Sequence, residues 1–270
     1  MPLIVRACVF FASLCRMEIA IPRFSDLFLR GRLRARTFED DLPAQLEWSG
    51  KSLIRWGDGE SACLMGGHIY FQKTNARLRK YLHRILLEYS DGAPYILGMP
   101  LQFFNATRCE LVSIGKHKTW EHTRTVFYLF CPKNAKYADS LTFRPDKVTR
   151  LSDGYLDPRM LWSSVENISL LHPRADVYRA FCHLNLGKTV FWIAVPEQDA
   201  LDQFEQLLFN VEELAQTYGL TRQNSRILLS VGPTAKALAY VLPQRFICYD
   251  LGHFFDFAYG GKRTTKEEIH

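Results

Sequence analysis

The chain has 270 residues, 47% of them hydrophobic and 23% charged, which is the balance of a folded globular protein and excludes disorder for the bulk of it. Lys and Arg number 34 against 28 Asp and Glu, and the resulting charge of +6 suits a phosphate-bearing small ligand, an anionic membrane surface or nucleic acid without choosing among them. The seven cysteines are odd in number and none are spaced C-x-x-C, which argues against a disulfide framework or a structural zinc site and for reduced thiols in a cytosolic protein.

No run approaches the roughly 20 apolar residues that a membrane-spanning helix needs. Residues 7–15 are apolar and follow Arg6, but Arg16 and Glu18 come soon after with no clear cleavage site, so export is not expected. Met17 offers an alternative start. Residues 1–50 read as a leader. Arg23, Arg30, Arg32, Arg34 and Arg36 fall within fourteen residues, opposed only by Asp26. Such a segment is either a solvated helix face or a contact with a partner or with anionic lipid, peripheral at the inner membrane. Glu39, Asp40 and Asp41 then reverse the sign.

The body is expected over 51–260, as a single domain with a tail at 261–270. Residues 52–56 read as a strand entering a tight Gly57-Asp58-Gly59 loop. A helix is predicted from about Asn75, because Leu78, Leu82, Ile85, Leu86 and Tyr89 keep a 3.6-residue period opposite Arg77, Arg79, Lys80 and Arg84. Strands are predicted at 94–98 and 126–131, with loops and a short helix over 133–165. The apolar run 189–195 reads as a strand buried on both faces. A helix from 199 to 218 should end at Gly219, and a buried strand at 225–231 should lead to a short helix from Thr234. A last strand is expected at 245–251. Strands alternating with helices predict an α/β fold, a Rossmann-like, mostly parallel sheet flanked by helices.

Ligands of such sheets bind beyond the carboxyl ends of the strands, and three segments are placed there. In Arg55-Trp-Gly-Asp58-Gly-Glu60, the glycines allow Asp58 and Glu60 to present oxygens to one side, as a hard Mg²⁺ or Mn²⁺ ion requires, while Arg55 can fork onto a phosphate. The alternative is a polar turn held by an Arg–carboxylate pair. In Ser230-Val-Gly232-Pro-Thr234-Ala-Lys236, Thr234 can cap a helix whose first turn favours an anion, with Lys236 reinforcing it. The alternative is an ordinary capped helix. In Asp250-Leu-Gly-His253, Asp250 or His253 can act as general base, or His253 can be a structural hydrogen-bonding residue. Pro196 to Asp199 is placed to line the same cleft. Phe103, Phe104, Trp120 and Tyr128 read as core, not as a nucleic-acid platform, since they lack interleaved Lys and Arg.

Taken in order, these segments resemble the GT-D type glycosyltransferases, a bacterial family formerly known as a domain of unknown function. The family's R-[FW]-G-D-G-E block is matched by Arg55 to Glu60, and its aromatic-Gln pair by Tyr70-Phe-Gln72. Its G-x-x-A-x-x-L-A element is matched by Gly232 to Ala239, and its D-x-G-H close by Asp250 to His253. Arg144-Pro145 and the segment from Pro196 to Phe204 also fit. The resemblance covers about residues 50–255. One departure is that Phe254 and Phe255 intervene before Asp256 and Tyr259, where the family has an acidic-Tyr pair, which points to a difference on the acceptor side.

The resemblance implies a cytoplasmic glycosyltransferase, hexosyltransferase-like, moving a sugar from a nucleotide-diphosphate sugar to a glycan or glycoprotein acceptor in cell-surface polysaccharide or glycoprotein biosynthesis. It implies donor binding by Arg55, Asp58, Glu60, Gln72, Gly232, Thr234 and Lys236. A divalent Mn²⁺ or Mg²⁺ would be held by Asp58 and Glu60, and Asp250 and His253 would be catalytic, with no nucleic-acid partner. A metal-dependent phosphohydrolase and a non-catalytic nucleotide- or polyanion-binding module are the alternatives.

Overall fold

The computed structural model of the chain describes residues 37–39, 42–132, 134–141, 143 and 158–255. Its centre is an eight-stranded sheet in the order β1-β4-β3-β2-β8-β7-β5-β6. The strands are β1 (Thr37–Glu39), β2 (Ser52–Arg55), β3 (Tyr95–Met99), β4 (Lys136–Asp139), β5 (Asn167–His172), β6 (Thr189–Ala194), β7 (Ser225–Leu229) and β8 (Cys248–Asp250). Every pairing between them is parallel. The amino-terminal and carboxyl-terminal halves of the chain each build one half of the sheet, and they meet at the β2–β8 pair, where Leu53 lies opposite Tyr249.

Successive side chains of a strand face opposite ways, and here both faces are covered. Ile54, Tyr95, Leu97, Ile227, Leu229 and Cys248 enter one apolar core. Their neighbours Leu53, Ile96, Leu228 and Tyr249 enter a second core on the other face. The first core is closed by α2 (Asp58–Leu64), α3 (Ala76–Glu88), α6 (His117–Phe130), α8 (Phe204–Tyr218) and α9 (Thr234–Val241), the second by α1 (Leu42–Ser49), α7 (Ala175–Leu184) and a 3₁₀ turn at Pro158–Trp162. Two short helices, α4 (Leu101–Asn105) and α5 (Arg108–Ser113), precede α6.

The helix read from its 3.6-residue stripe is α3. Leu78, Leu82, Ile85 and Leu86 are buried, and Asn75 caps its start by accepting the Leu78 N–H at 2.8 Å. Gly219 ends α8 in the left-handed region, with φ of 61°. Four expectations change. The 126–131 run is the end of α6, not a strand, with Trp120, Arg124, Phe127 and Cys131 buried at helical spacing. The 133–165 stretch contains β4 as well as its 3₁₀ turn. The strand at 189–195 is the sheet's edge strand β6, whose residues are mostly half-exposed, so it is not buried on both faces. The first fifty residues are not all a leader: β1 pairs with β4, and Leu42 and Leu46 of α1 are core residues. The arginines at 23–36, Arg144, Pro145, Asp256 and Tyr259 lie outside the described residues. No described helix is long and apolar enough to cross a membrane.

Candidate active site

The two central strands end at Arg55 and Asp250. Past Arg55 the chain does not form the open glycine loop that the sequence suggests. Gly57 is extended and α2 begins at once with Asp58. Glu60 is the third residue of that helix, and its Oε2 accepts the Gly57 N–H at 2.9 Å, closing the helix start. Asp58 is exposed, with Oδ1 accepting the Gly59 N–H at 3.0 Å. Residues two apart on a helix point away from each other. The structure therefore does not bring the Asp58 and Glu60 carboxylates to one point.

It brings Glu60 to two other predicted residues. Lys236 Nζ lies 2.9 Å from Glu60 Oε1 and 3.0 Å from Asp250 Oδ2, and donates to the Gly232 carbonyl at 3.4 Å. Three elements, α2, α9 and β8, thus converge on one ammonium, and all three side chains are buried. Burial alone would lower the Lys236 pKa, but Asp250 and Glu60 outweigh it and hold the ammonium above the usual lysine value. Asp250 is wholly buried. Its Oδ2 also accepts the Arg55 N–H at 3.1 Å, while its Oδ1 has no hydrogen-bond partner among the described residues. A buried carboxylate oxygen left unpaired carries a desolvation cost.

The remaining predicted residues surround this triad. Thr234 is not the cap of α9. Pro233 holds that position, and the buried Thr234 hydroxyl donates to Gln72 Oε1 at 3.1 Å. Gln72 also accepts the Leu201 N–H at 3.4 Å and donates to the Lys73 carbonyl at 2.9 Å. Its amide braces the segment before α3 against α9. Beside it, the Phe71 ring packs 5.7 Å from the half-buried His253 ring. Gly232 takes a left-handed φ of 54°, which glycine adopts without strain. The Arg55 guanidinium is engaged with carbonyl oxygens of Ser140 and Leu251, both at 2.6 Å.

The family model for the glycosyltransferase GT-D fold matches residues 53–264. The chain belongs to that family. Solved structures share the fold. One, described as the highly conserved domain of unknown function 1792 with a distinct glycosyltransferase fold, is 21% identical over 90% of this chain and 88% of that chain, with a TM-score of 0.68. Another, a glycosyltransferase of the same domain type from Streptococcus sanguinis, is 22% identical over 86% of this chain and 88% of that chain, with a TM-score of 0.64. No curated protein matches the chain.

In this GT-D chain the fold places further polar groups that the sequence reading did not single out. Asp139 ends β4 on the same sheet edge, and its carboxylate accepts the Leu101 and Leu141 N–H groups at 3.2 and 3.0 Å. Burial raises its pKa, against those two bonds and the nearby Arg55. The signal was weak, because the short Lys136-Tyr-Ala-Asp139 strand sits in a Pro- and charge-rich stretch. His172 ends β5 and is buried, its Nδ1 accepting the Arg174 N–H at 3.1 Å. Asp199, placed by sequence only in the general cleft, adopts a left-handed φ of 52°. Its carboxylate takes the Lys73 N–H at 2.6 Å, latching the 70–73 segment that carries Phe71 and Gln72.

A divalent ion would need hard oxygen donors. Among the described residues no three His, Cys, Asp or Glu side chains form a cage. Both Glu60 oxygens are taken, by Lys236 and by Gly57. Asp58 is the exposed carboxylate, and it suits an ion of the Mg²⁺ type, which binds through one or two carboxylates together with substrate phosphates. Phe104 and Trp120 are core, as read from sequence, with Phe103 stacked on Trp120 at 4.2 Å.

Proposed function

We propose that this chain transfers a sugar from a nucleotide-diphosphate sugar to a hydroxyl of a glycan or glycoconjugate acceptor, with hexosyl transfer in cell-surface glycan synthesis as the finer reading. Membership of the GT-D family supports the reaction class. The observation that carries the site is Asp250, a buried carboxylate at the junction of the two half-sheets, anchored through Oδ2 and, among the described residues, unpaired at Oδ1. The acceptor oxygen attacks the anomeric carbon, the bond from that carbon to the diphosphate oxygen breaks, and the acceptor proton passes to a base. Asp250 Oδ1 is that base, and His253, resting on Phe71, lines the acceptor side.

The leaving diphosphate gathers negative charge. The turn through Gly232 and Pro233 into α9 turns the positive end of that helix toward it, and Lys236 lies in the helix's first turn. Gln72 and Thr234 act by fixing that turn. A Mn²⁺ or Mg²⁺ ion held by Asp58 would neutralise phosphate charge when bound. A cytoplasmic location, with peripheral membrane contact through the arginines at 23–36, belongs to the same reading.

A panel of nucleotide sugars tested with and without Mn²⁺ decides between this and the alternatives. The expected result is thermal stabilisation by one nucleotide class, since a true ligand stabilises by mass action, and radiolabelled sugar on a glycan acceptor. Phosphate or nucleotide release indifferent to acceptor would mean a phosphohydrolase. Binding with a steep salt dependence and no turnover would mean a polyanion-binding module.

A further inference from the structure

We propose that Arg55 is a positioning residue: its guanidinium fixes the 250–253 turn that carries Asp250 and His253, and does not itself bind the diphosphate. The proposal rests on the site reading above.

Arg55 is buried at the end of β2 and ties three strand ends together. Its Nε donates to the Ser140 carbonyl just past β4, and its Nη1 to the Leu251 carbonyl just past β8. Its backbone N–H reaches Asp250 Oδ2. The first two bonds are both 2.6 Å long, and they come from one planar group whose donors point in fixed directions. A lysine has the charge but not the fork.

Two glycines keep this arrangement open. A Cβ on Gly98 of β3 would stand 3.3 Å from Ser140 Cα, closer than ordinary contact, so a bare backbone there lets Ser140 pass over β3 toward Arg55. A Cβ on Gly252 would stand 3.3 Å from Arg55 Nη1, and Gly252 has a φ of 51°. The glycine of the Asp-x-Gly-His turn is thus demanded twice, by its backbone and by the guanidinium beside it. On its other side the Gly252 carbonyl accepts the Ser230 hydroxyl at 2.8 Å. The turn is held from β2 and from β7, and any shift in it moves Asp250 and His253 together. Misplacing a reacting group by about 1 Å costs on the order of 100-fold in rate without requiring weaker substrate binding.

The test compares the full-length wild type with Arg55→Lys and Gly252→Ala. The readouts are backbone hydrogen exchange over residues 250–255, the dissociation constant of the nucleoside diphosphate bound by wild type (UDP, GDP, CDP and ADP, each with Mn²⁺), and turnover at saturating donor. The expected result is faster exchange confined to 250–255, a diphosphate constant within about threefold of wild type, and turnover lower by about 100-fold. Unchanged exchange, unchanged turnover at saturation, or a diphosphate constant weakened about tenfold or more each overturns the proposal. If Arg55→Lys does not fold, Gly252→Ala carries the same readouts. If wild type binds none of the four diphosphates, the site reading fails, while the exchange measurement still judges Arg55.

Discussion

Lys236 is sealed between Glu60 and Asp250, and removing its charge would leave two carboxylates buried with no cation between them. Breaking a buried pair from one side costs about 3–5 kcal/mol. Lys236→Met should lower unfolding stability by that order, measured by urea titration. The ammonium's folded pKa is raised, so its contribution is complete below the unfolded lysine value of about 10.4 and is lost only as pH rises through the higher folded value. The contribution should therefore be undiminished between about pH 6 and 9, well below that range. Burial also pushes the nearby Cys63 thiol up to about 11, so thiol reagents should modify it slowly at neutral pH. At this scale the residues of the candidate site could be named from the sequence, but their partners could not. Asp58 and Glu60 read as a pair because a glycine loop could aim both one way. The helix that begins at Asp58 separates them, and the partner of Glu60 arrives from α9, which no local spacing reveals.

Among the elements, α3 was the most legible, because an unbroken 3.6-residue stripe and a capping asparagine agree. Asn75→Ala should cost about 1 kcal/mol in unfolding free energy, by loss of the bond to the Leu78 N–H. A value near zero would mean that the cap is not used. The misread elements have physical causes. The end of α6 is a short apolar run that periodicity cannot separate from a strand, and its buried set becomes helical only when Trp120 and Arg124 are included. Strand β5 is hidden in the sequence: Ser169 interrupts its apolar residues and His172 ends them, although both are buried. Strand β6 is apolar yet lies at the sheet edge, and nothing in its own sequence marks which strand is last.

For the whole molecule, the order β1-β4-β3-β2-β8-β7-β5-β6 is what brings the candidate site together. It places the Arg55 block from one half of the chain beside the Asp250 turn from the other, with α9 supplying Lys236 between them. The parallel α/β class was legible from alternation, and the ordered motifs pointed to the family, but the strand order came only from the structure. A nucleoside diphosphate bridging both halves should stabilise the fold by about 2.7 kcal/mol at a hundredfold excess over its dissociation constant. Asp58→Asn should abolish the part of that stabilisation that Mn²⁺ adds and leave the metal-free part intact. An equal Mn²⁺ effect in both proteins would remove Asp58 from the metal's ligands.

The most direct measurement is sugar transfer by Asp250→Asn beside wild type, at saturating nucleotide sugar and with the fold checked by circular dichroism. The variant keeps the shape of the side chain and loses the base, so transfer should fall by about 10²–10⁴-fold, with donor binding retained. Transfer at the wild-type rate would contradict the placement of the reaction at the β2–β8 junction.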